Sequence, residues 1–156
     1  MVGMQALVTG AAGFIGSTLA DELLAAGHRV RGVDCFVPFY PEAAKQRNLA
    51  GALRHPAFEL VEADLRSADV GALLEGVDTV FHLAAQAGVR SSWAEGFEDY
   101  LTLNVLATQR LLEGAPGAQL GLEAPPGCLA RAEPRAARPT GVASERIVPR
   151  RLERGL

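Results

Sequence analysis

The sequence is poor in cysteine: it has two, Cys35 and Cys128, far apart and outside any Cys-x-x-Cys pattern. This argues against a disulfide framework and against a zinc site, so no metal is expected. Long apolar runs are also missing. No stretch approaches ~18 apolar residues, and the N-terminus has no basic flank before an apolar segment. We therefore expect a cytoplasmic protein with no membrane partner.

A strong charge of either sign is absent as well. The net charge is −3 over 156 residues, which gives no reason to expect nucleic acid as a partner. Apolar residues, in contrast, are plentiful. They make up 49% of the chain, enough for the core of one domain of ordinary size.

Three glycines lie where a strand must turn directly into a helix. Gly10, Gly13 and Gly16 follow an apolar segment at residues 4–8 and precede apolar residues that recur every four positions from Ile15. Glycine permits a tight turn and a close approach of the backbone to another group. Because the exposed N–H groups at a helix start carry partial positive charge, this segment predicts a pyrophosphate-binding loop.

Asp34 lies at the carboxyl end of the predicted second strand, residues 28–33. In a βαβ unit this position faces the adenosine ribose, whose hydroxyls a carboxylate can bind. A carboxylate also repels a 2′-phosphate, so NAD is favoured over NADP as the cofactor. The alternative is that Asp34 only begins a turn before Pro38.

Strands and helices continue to alternate up to residue 113. We predict strands at residues 58–61 and 79–83, a short helix at 70–74 and a long helix at 97–113. One face of the long helix carries Phe97, Leu101, Val105, Thr108 and Leu112. This alternation predicts an α/β fold: a partial, Rossmann-like, doubly wound parallel sheet with strand order 3-2-1-4.

The composition changes after Glu113. In residues 114–156, Ala, Arg, Pro and Gly fill 27 of 43 positions, no aromatic residue occurs, and the net charge is +3 against −6 for residues 1–113. We expect this second segment to be mostly disordered, because it has little apolar surface to bury. It is either a natural basic arm or an out-of-frame reading of GC-rich coding DNA. We favour the latter, because no strand pattern follows the regular helix.

Residues 1–113 resemble the N-terminal half of an extended short-chain dehydrogenase/reductase, in the NAD-dependent nucleotide-sugar epimerase/dehydratase family. The matching motifs are TGAAGFIG at 9–16, Asp34, ADLR at 63–66, FHLAAQ at 81–86 and NVLATQRLLE at 104–113. The resemblance implies an NAD-binding half whose C-terminal strands and substrate domain are missing. It also implies a homodimer for complete relatives, which is doubtful for this fragment.

The resemblance also implies roles for individual residues. The residues implied to contact NAD are Gly10, Gly13, Phe14, Ile15 and Gly16 at the pyrophosphate, Asp34, Cys35 and Phe36 at the ribose, Asp64 and Leu65 at the adenine, and Leu83, Ala84, Ala85 and Gln86 near the nicotinamide half. Asn104 would brace the active-site region from its helix. An alternative role for Asp64 is to cap the helix that follows. His82 is interpreted as a buried core or supporting histidine rather than a catalyst.

One segment bears on the substrate. Residues 85–92 are similar to a loop of epimerases that act on UDP-hexuronic acids, such as UDP-glucuronate 4-epimerase. The candidate substrate residues are Gly88, Val89, Arg90 and Ser91. The Arg90 guanidinium would suit an anionic sugar nucleotide, and its alternative is a solvated loop arginine.

The catalytic pair that the resemblance implies is absent. Such enzymes use a Tyr-x-x-x-Lys, whereas the one lysine here, Lys45, lies five residues after Tyr40. We assign no catalytic residue and expect no turnover. Two hypotheses follow: a fragment of a nucleotide-sugar epimerase, or a non-catalytic NAD-binding module with a basic tail. The fragment is favoured because strand 4 would be an exposed apolar edge, which predicts poor solubility and weak NAD binding.

Overall fold

A computed structural model of the chain describes residues 3–38, 41–86, 96–115, 119–123 and 129–131. Its centre is a six-stranded sheet in the order β3-β2-β1-β4-β5-β6. The strands are β1 (Gln5–Thr9), β2 (Arg29–Asp34), β3 (Phe58–Glu62), β4 (Thr79–His82), β5 (Gln119–Glu123) and β6 (Leu129–Arg131). The first five are parallel and β6 is antiparallel. The predicted order 3-2-1-4 is confirmed.

Helices connect these strands. They are α1 (Phe14–Ala25), α2 (Glu42–Leu49), α3 (Val70–Leu74), α4 (Phe97–Tyr100) and α5 (Ala107–Gly114), with a 3₁₀ turn at Ala52–Arg54 and a π-helical segment at Leu101–Leu106. Within the described ranges, no helix has the length and apolar character needed to cross a membrane.

The sheet is buried on both faces. Ala6 and Val8 of β1 belong to one apolar cluster, which α1 and α2 cover, while Leu7 between them belongs to a second cluster, which includes residues of α3 and α5. Because alternate residues of a strand point to opposite faces, the three central residues of β1 are all apolar, although β1 begins at Gln5 and ends at Thr9. This two-layer covering is the doubly wound arrangement that the sequence predicted.

The expectation of no strand beyond Glu113 is wrong. β5 pairs in parallel with β4, from Thr79 opposite Gln119 to His82 opposite Leu122. The N–H and C=O groups of β4 require partners, and a neighbouring main chain supplies them whatever its composition. The exposed-edge argument for a fragment therefore loses its basis. The predicted disorder of 114–156 falls mostly outside the described residues, and it stays a prediction, as does the boundary at 113.

The predicted helix at 97–113 is present but not continuous. Its middle, Leu101–Leu106, is π-helical, and this changes the angular spacing of side chains that a 3.6-residue period assumes. Four of the five residues on the predicted apolar face are exposed: Phe97, Leu101, Val105 and Leu112. The buried positions are Ala107 and Leu111.

Candidate functional site

The glycine loop packs closely against neighbouring main-chain atoms at two of its glycines. Gly10 has φ +69°, and a Cβ built on it would lie 2.8 Å from the amide nitrogen of Ala84. A Cβ on Gly16 would lie 2.2 Å from the carbonyl oxygen of Gly10. The loop therefore joins β1, α1 and the end of β4 with no room for side chains at these two positions.

The N-terminus of α1 is open to a ligand. Its N-cap, Gly13, makes no side-chain cap, and the first turn holds no acidic residue. Phe14 and Ile15, the first two helical residues, are 80% and 57% exposed. A twelve-residue helix with uncapped first amides presents partial positive charge there, which suits a phosphate group.

Asp34 lies beside this loop and is 8% exposed. Its Oδ2 accepts a hydrogen bond from the amide of Ala12 at 3.1 Å, and its Oδ1 accepts one from the amide of Phe36 at 2.8 Å. The bond from Phe36 forms a turn after Asp34, as expected if Asp34 begins a turn before Pro38. The bond from Ala12 ties the carboxylate to the glycine loop as well, so Asp34 does more than begin a turn.

Lys45 is the functional candidate that sequence reasoning missed. Its ammonium lies 2.9 Å from Oδ1 of Asp34, both side chains are more than nine-tenths buried, and its Nζ stands 5.4 Å from the centre of the Phe36 ring. The signal was a lone lysine in a polar segment. The sequence pattern does not predict α2, so it gives no reason to place Lys45 beside the end of β2. The site therefore pairs a carboxylate with a cation.

Cys35 and Phe36 line a groove of about 420 Å³ between α2 and β3, together with residues such as Leu49 and Leu60. Phe36 has φ +51°, an uncommon conformation for a non-glycine residue and one often found at binding sites. Burial raises the pKa of the Cys35 thiol. Cys35 therefore stays protonated at neutral pH, and it lines the groove without acting as a nucleophile.

Asp64 follows β3 and is held by Arg66. The guanidinium donates from Nη2 to Oδ2 at 2.6 Å and from Nε to both carboxylate oxygens at 3.0 Å, and the amide of Arg66 donates to Oδ1 at 2.9 Å. The helix-cap alternative is wrong, because Asp69 caps α3. Leu65 is buried in the core, and its role beside the adenine stays a prediction.

We expect Arg66→Ala to raise the pKa of Asp64, because hydrogen bonds from Arg66 hold that pKa below its usual 3.8. Because the carboxyl pKa is lower in the folded chain, Asp64 stabilises the fold above pH 3.8. This stabilisation is lost as the pH falls through the pKa of Asp64 in the folded chain. The pair is partly exposed, so the loss of stability is under about 1 kcal/mol. A carboxyl ¹³C NMR titration measures the shift. Arg66→Lys is the matched control, and an unchanged pKa in Arg66→Ala contradicts the prediction.

The segment that leaves β4 is held from two sides. The amides of Leu83 and Ala84 donate to the Thr9 hydroxyl at 3.1 and 3.2 Å. The side chain of Asn104 accepts from the amide of Gln86 at 2.7 Å and donates to its carbonyl oxygen at 3.1 Å. Asn104 therefore contacts the segment that sequence reasoning assigned to the cofactor.

His82 is buried, as expected, between two hydroxyl groups. Its Nδ1 lies 2.7 Å from Oγ1 of Thr9, and its Nε2 lies 2.9 Å from Oγ1 of Thr108. Burial lowers the pKa of His82 to about 4, so the ring is neutral at physiological pH. The sequence placed Thr9 in the glycine motif and Thr108 on one face of the long helix, but it predicted no contact of either with His82.

The residues present fit a dinucleotide. The cradle formed by Gly10 and Gly16, the open start of α1 and the carboxylate of Asp34 converge at the carboxyl edge of the sheet, and Ala85 at the same edge is exposed. In the described part of the chain, Oε1 of Gln86 is buried without a hydrogen-bond partner, which leaves an acceptor for a ligand donor. The candidate substrate residues Gly88, Val89, Arg90 and Ser91 lie outside the described residues.

A family model matches this chain. It is described as the NAD dependent epimerase/dehydratase family and matches residues 6–122, so it extends past Glu113 through most of β5. That description agrees with the predicted cofactor. Among solved structures, UDP-glucuronic acid 4-epimerase from Bacillus cereus in complex with UDP-glucuronic acid and NAD is 41% identical with a TM-score of 0.71, covering 75% of this chain and 38% of that one.

Curated proteins also match part of this chain. An uncharacterized UDP-glucose epimerase of Bacillus subtilis is 50% identical over 111 residues, which are 70% of this chain and 35% of that protein. A UDP-glucose 4-epimerase of Mycolicibacterium smegmatis is 46% identical over 114 residues, 72% of this chain and 34% of that protein. The chain therefore spans about a third of the length of the curated relatives it matches.

Proposed function

Because this chain belongs to the NAD dependent epimerase/dehydratase family, we propose that it is the NAD-binding part of a nucleotide-sugar epimerase. The complete protein would act on a UDP-sugar by transient hydride transfer to NAD. The observation that carries this proposal is the meeting of the open α1 N-terminus with the carboxylate of Asp34. One group suits a pyrophosphate and the other suits a ribose, at one edge of a parallel sheet.

Each part of the site would hold a different part of the cofactor. The amides at the start of α1, from Phe14 to Gly16, would bind the pyrophosphate, and Asp34 would bind the adenosine ribose. The amide of Gly13 instead donates to the carbonyl oxygen of Gly10 at 2.9 Å and closes the turn before the helix. Asp64, kept ionised by Arg66, would accept from the adenine amino group. Residues 83–86 would line the nicotinamide half. When bound there, NAD supplies the hydride acceptor of the reaction.

For the substrate we propose a UDP-hexuronic acid. Arg90 supports this choice, since a guanidinium pairs well with a carboxylate or a phosphate. The Bacillus cereus relative, whose structure contains UDP-glucuronic acid, also supports it. Self-association of this chain stays a prediction.

We propose that this chain by itself does not turn over. The sequence contains no Tyr-x-x-x-Lys, and proton removal from a sugar hydroxyl near neutral pH needs a general base of tuned pKa. A second candidate function is a non-catalytic NAD-binding module with a basic tail. One observation favours it: β5 covers the edge of β4, as a module that stands alone requires.

The test of cofactor binding is calorimetric titration of the full chain with NAD and NADP. We expect NAD to bind, and Asp34→Asn to weaken NAD binding about tenfold, because charged hydrogen bonds to the ribose are lost. Affinity for NADP should not fall, since the repulsion of a 2′-phosphate is removed while Lys45 remains beside the site.

Asp78→Asn is the matched control. Asp78 accepts from the amide of Gln5 at 2.8 Å, at the opposite edge of the sheet, so its variant should bind NAD as the unmodified chain does. Failure of the unmodified chain to bind NAD would overturn the proposed function. Equal NAD affinity in Asp34→Asn and the unmodified chain would overturn the role of Asp34 alone.

A further inference from the structure

We propose that His82 is a positioning residue that sets the conformation of the segment 83–86 through Thr9 on one side and Thr108 on the other. The inference rests on the proposed function, which places the nicotinamide half of NAD against that segment. It assigns to His82 a role that an ordinary core histidine does not have. One ring nitrogen bonds to Thr9, which contacts the segment directly, and the other bonds to Thr108, which bonds to Asn104, a residue whose side chain contacts the segment.

The first side is the junction of β1 and β4. Thr9 and His82 are opposite each other in the parallel register, at the carboxyl ends of their strands. The Thr9 hydroxyl oxygen accepts from the amides of Leu83 and Ala84, so its own proton is left for Nδ1 of His82. Nδ1 must then be an acceptor, and it fixes the hydroxyl orientation that the amide of Ala84 requires. The amide of Leu83 is shared between this hydroxyl and the main-chain carbonyl oxygen of Thr9 at 3.2 Å.

The second side is the helical stretch that follows β4 in sequence. The Thr108 hydroxyl donates to the carbonyl oxygen of Asn104, so towards His82 it must accept, and Nε2 must carry the ring proton. The Asn104 side chain in turn pairs with both main-chain groups of Gln86.

The two sides require the same tautomer independently. Thr9 needs an unprotonated Nδ1, and Thr108 needs a protonated Nε2. One neutral ring satisfies both, and the bonds from Thr9 and Asn104 then hold the segment at its beginning, Leu83, and its end, Gln86. The exit of β4 is thereby pre-organised before a ligand arrives, which lowers the ordering cost of binding.

The first test is the tautomer of His82 in the full chain, read from a long-range ¹H–¹⁵N NMR spectrum at neutral pH. His82→Gln identifies the resonance among the three histidines of the sequence. The expected result is a proton on Nε2 and none on Nδ1. A proton on Nδ1, or on both nitrogens, would overturn the inference whether or not the chain binds NAD.

The second test compares NAD with AMP, which lacks the nicotinamide half. Thr108→Val removes the hydroxyl with little change in shape, and we expect it to weaken NAD binding about tenfold, with AMP binding changed by less than about twofold. His82→Gln, which keeps one acceptor and one donor, should retain NAD affinity to within about threefold. Melting curves establish that each variant folds.

Thr102→Val is the matched control. Thr102 lies on the same helical stretch and donates to the carbonyl oxygen of Asp99, as Thr108 does to Asn104. It should leave both affinities unchanged. An equal loss of NAD and AMP affinity in Thr108→Val, or no loss of either, would overturn the inference while the proposed function stands. Failure of the unmodified chain to bind either nucleotide would overturn both.

Discussion

Gly10→Ala is expected to lower the free energy of unfolding by about 2–5 kcal/mol, the sum of a backbone cost and a steric cost. The backbone cost arises because Gly10 has φ +69°, in the left-handed region. The steric cost arises because a Cβ would lie 2.8–2.9 Å from main-chain atoms of Ala84 and Leu83. These main-chain atoms directly follow β4, and they cannot move aside as a flexible side chain can. Urea unfolding followed by circular dichroism measures the loss.

Gly27→Ala separates the two costs. Gly27 has φ +84°, yet nothing lies within 4 Å of where its Cβ would be. In Gly27→Ala the free energy of unfolding should therefore fall by the backbone cost alone, about 1–2 kcal/mol. Similar losses at Gly10 and Gly27 would contradict the close packing of the loop on the end of β4. Gly16→Ala adds a third comparison, since its contact with the carbonyl oxygen of Gly10 is steric alone.

The parallel core could be predicted because it is buried on both faces. The centre of β1, residues 6–8, is apolar at three consecutive positions. The predicted segment at 4–8 differs from Gln5–Thr9 by one residue at each end. The helix α2 could not be predicted because few of its residues are buried. Only Lys45 and Leu49 of its eight residues are buried, so it carries no apolar stripe. β5 could not be predicted either, because main-chain pairing needs no side-chain pattern.

The candidate site divides in the same way. Gly10 and Asp34 could be found from the sequence, because their residue types and spacing follow from what a phosphate and a ribose require. Lys45 could not be found, because it reaches Asp34 only through the placement of α2. The contact of His82 with Thr9 depends on the pairing of β4 with β1, and its contact with Thr108 depends on the rotation of α5. A local sequence pattern predicts neither of these.

The stability of the chain should fall by about 3 kcal/mol between neutral pH and pH 4 through His82 alone. Burial lowers the pKa of His82 to about 4 from 6.5 in the unfolded chain, and no neighbouring charge contributes to the shift. Between those two values the unfolded state binds more protons than the folded state. The stabilisation is therefore complete above pH 6.5 and is lost progressively as the pH falls to 4.

The measurement is urea unfolding at a series of pH values, for the unmodified chain and for His82→Gln. Carboxylates such as Asp64 titrate in both proteins, so the difference between the two curves isolates the histidine. We expect that difference to be constant above pH 6.5 and to change by about 1.4 kcal/mol per pH unit between pH 6 and 4.5. A flat difference would mean that the ring takes up a proton without unfolding. The Thr9 hydroxyl would then have to turn its proton away from Nδ1, and the contacts with Leu83 and Ala84 would have to rearrange within the folded chain.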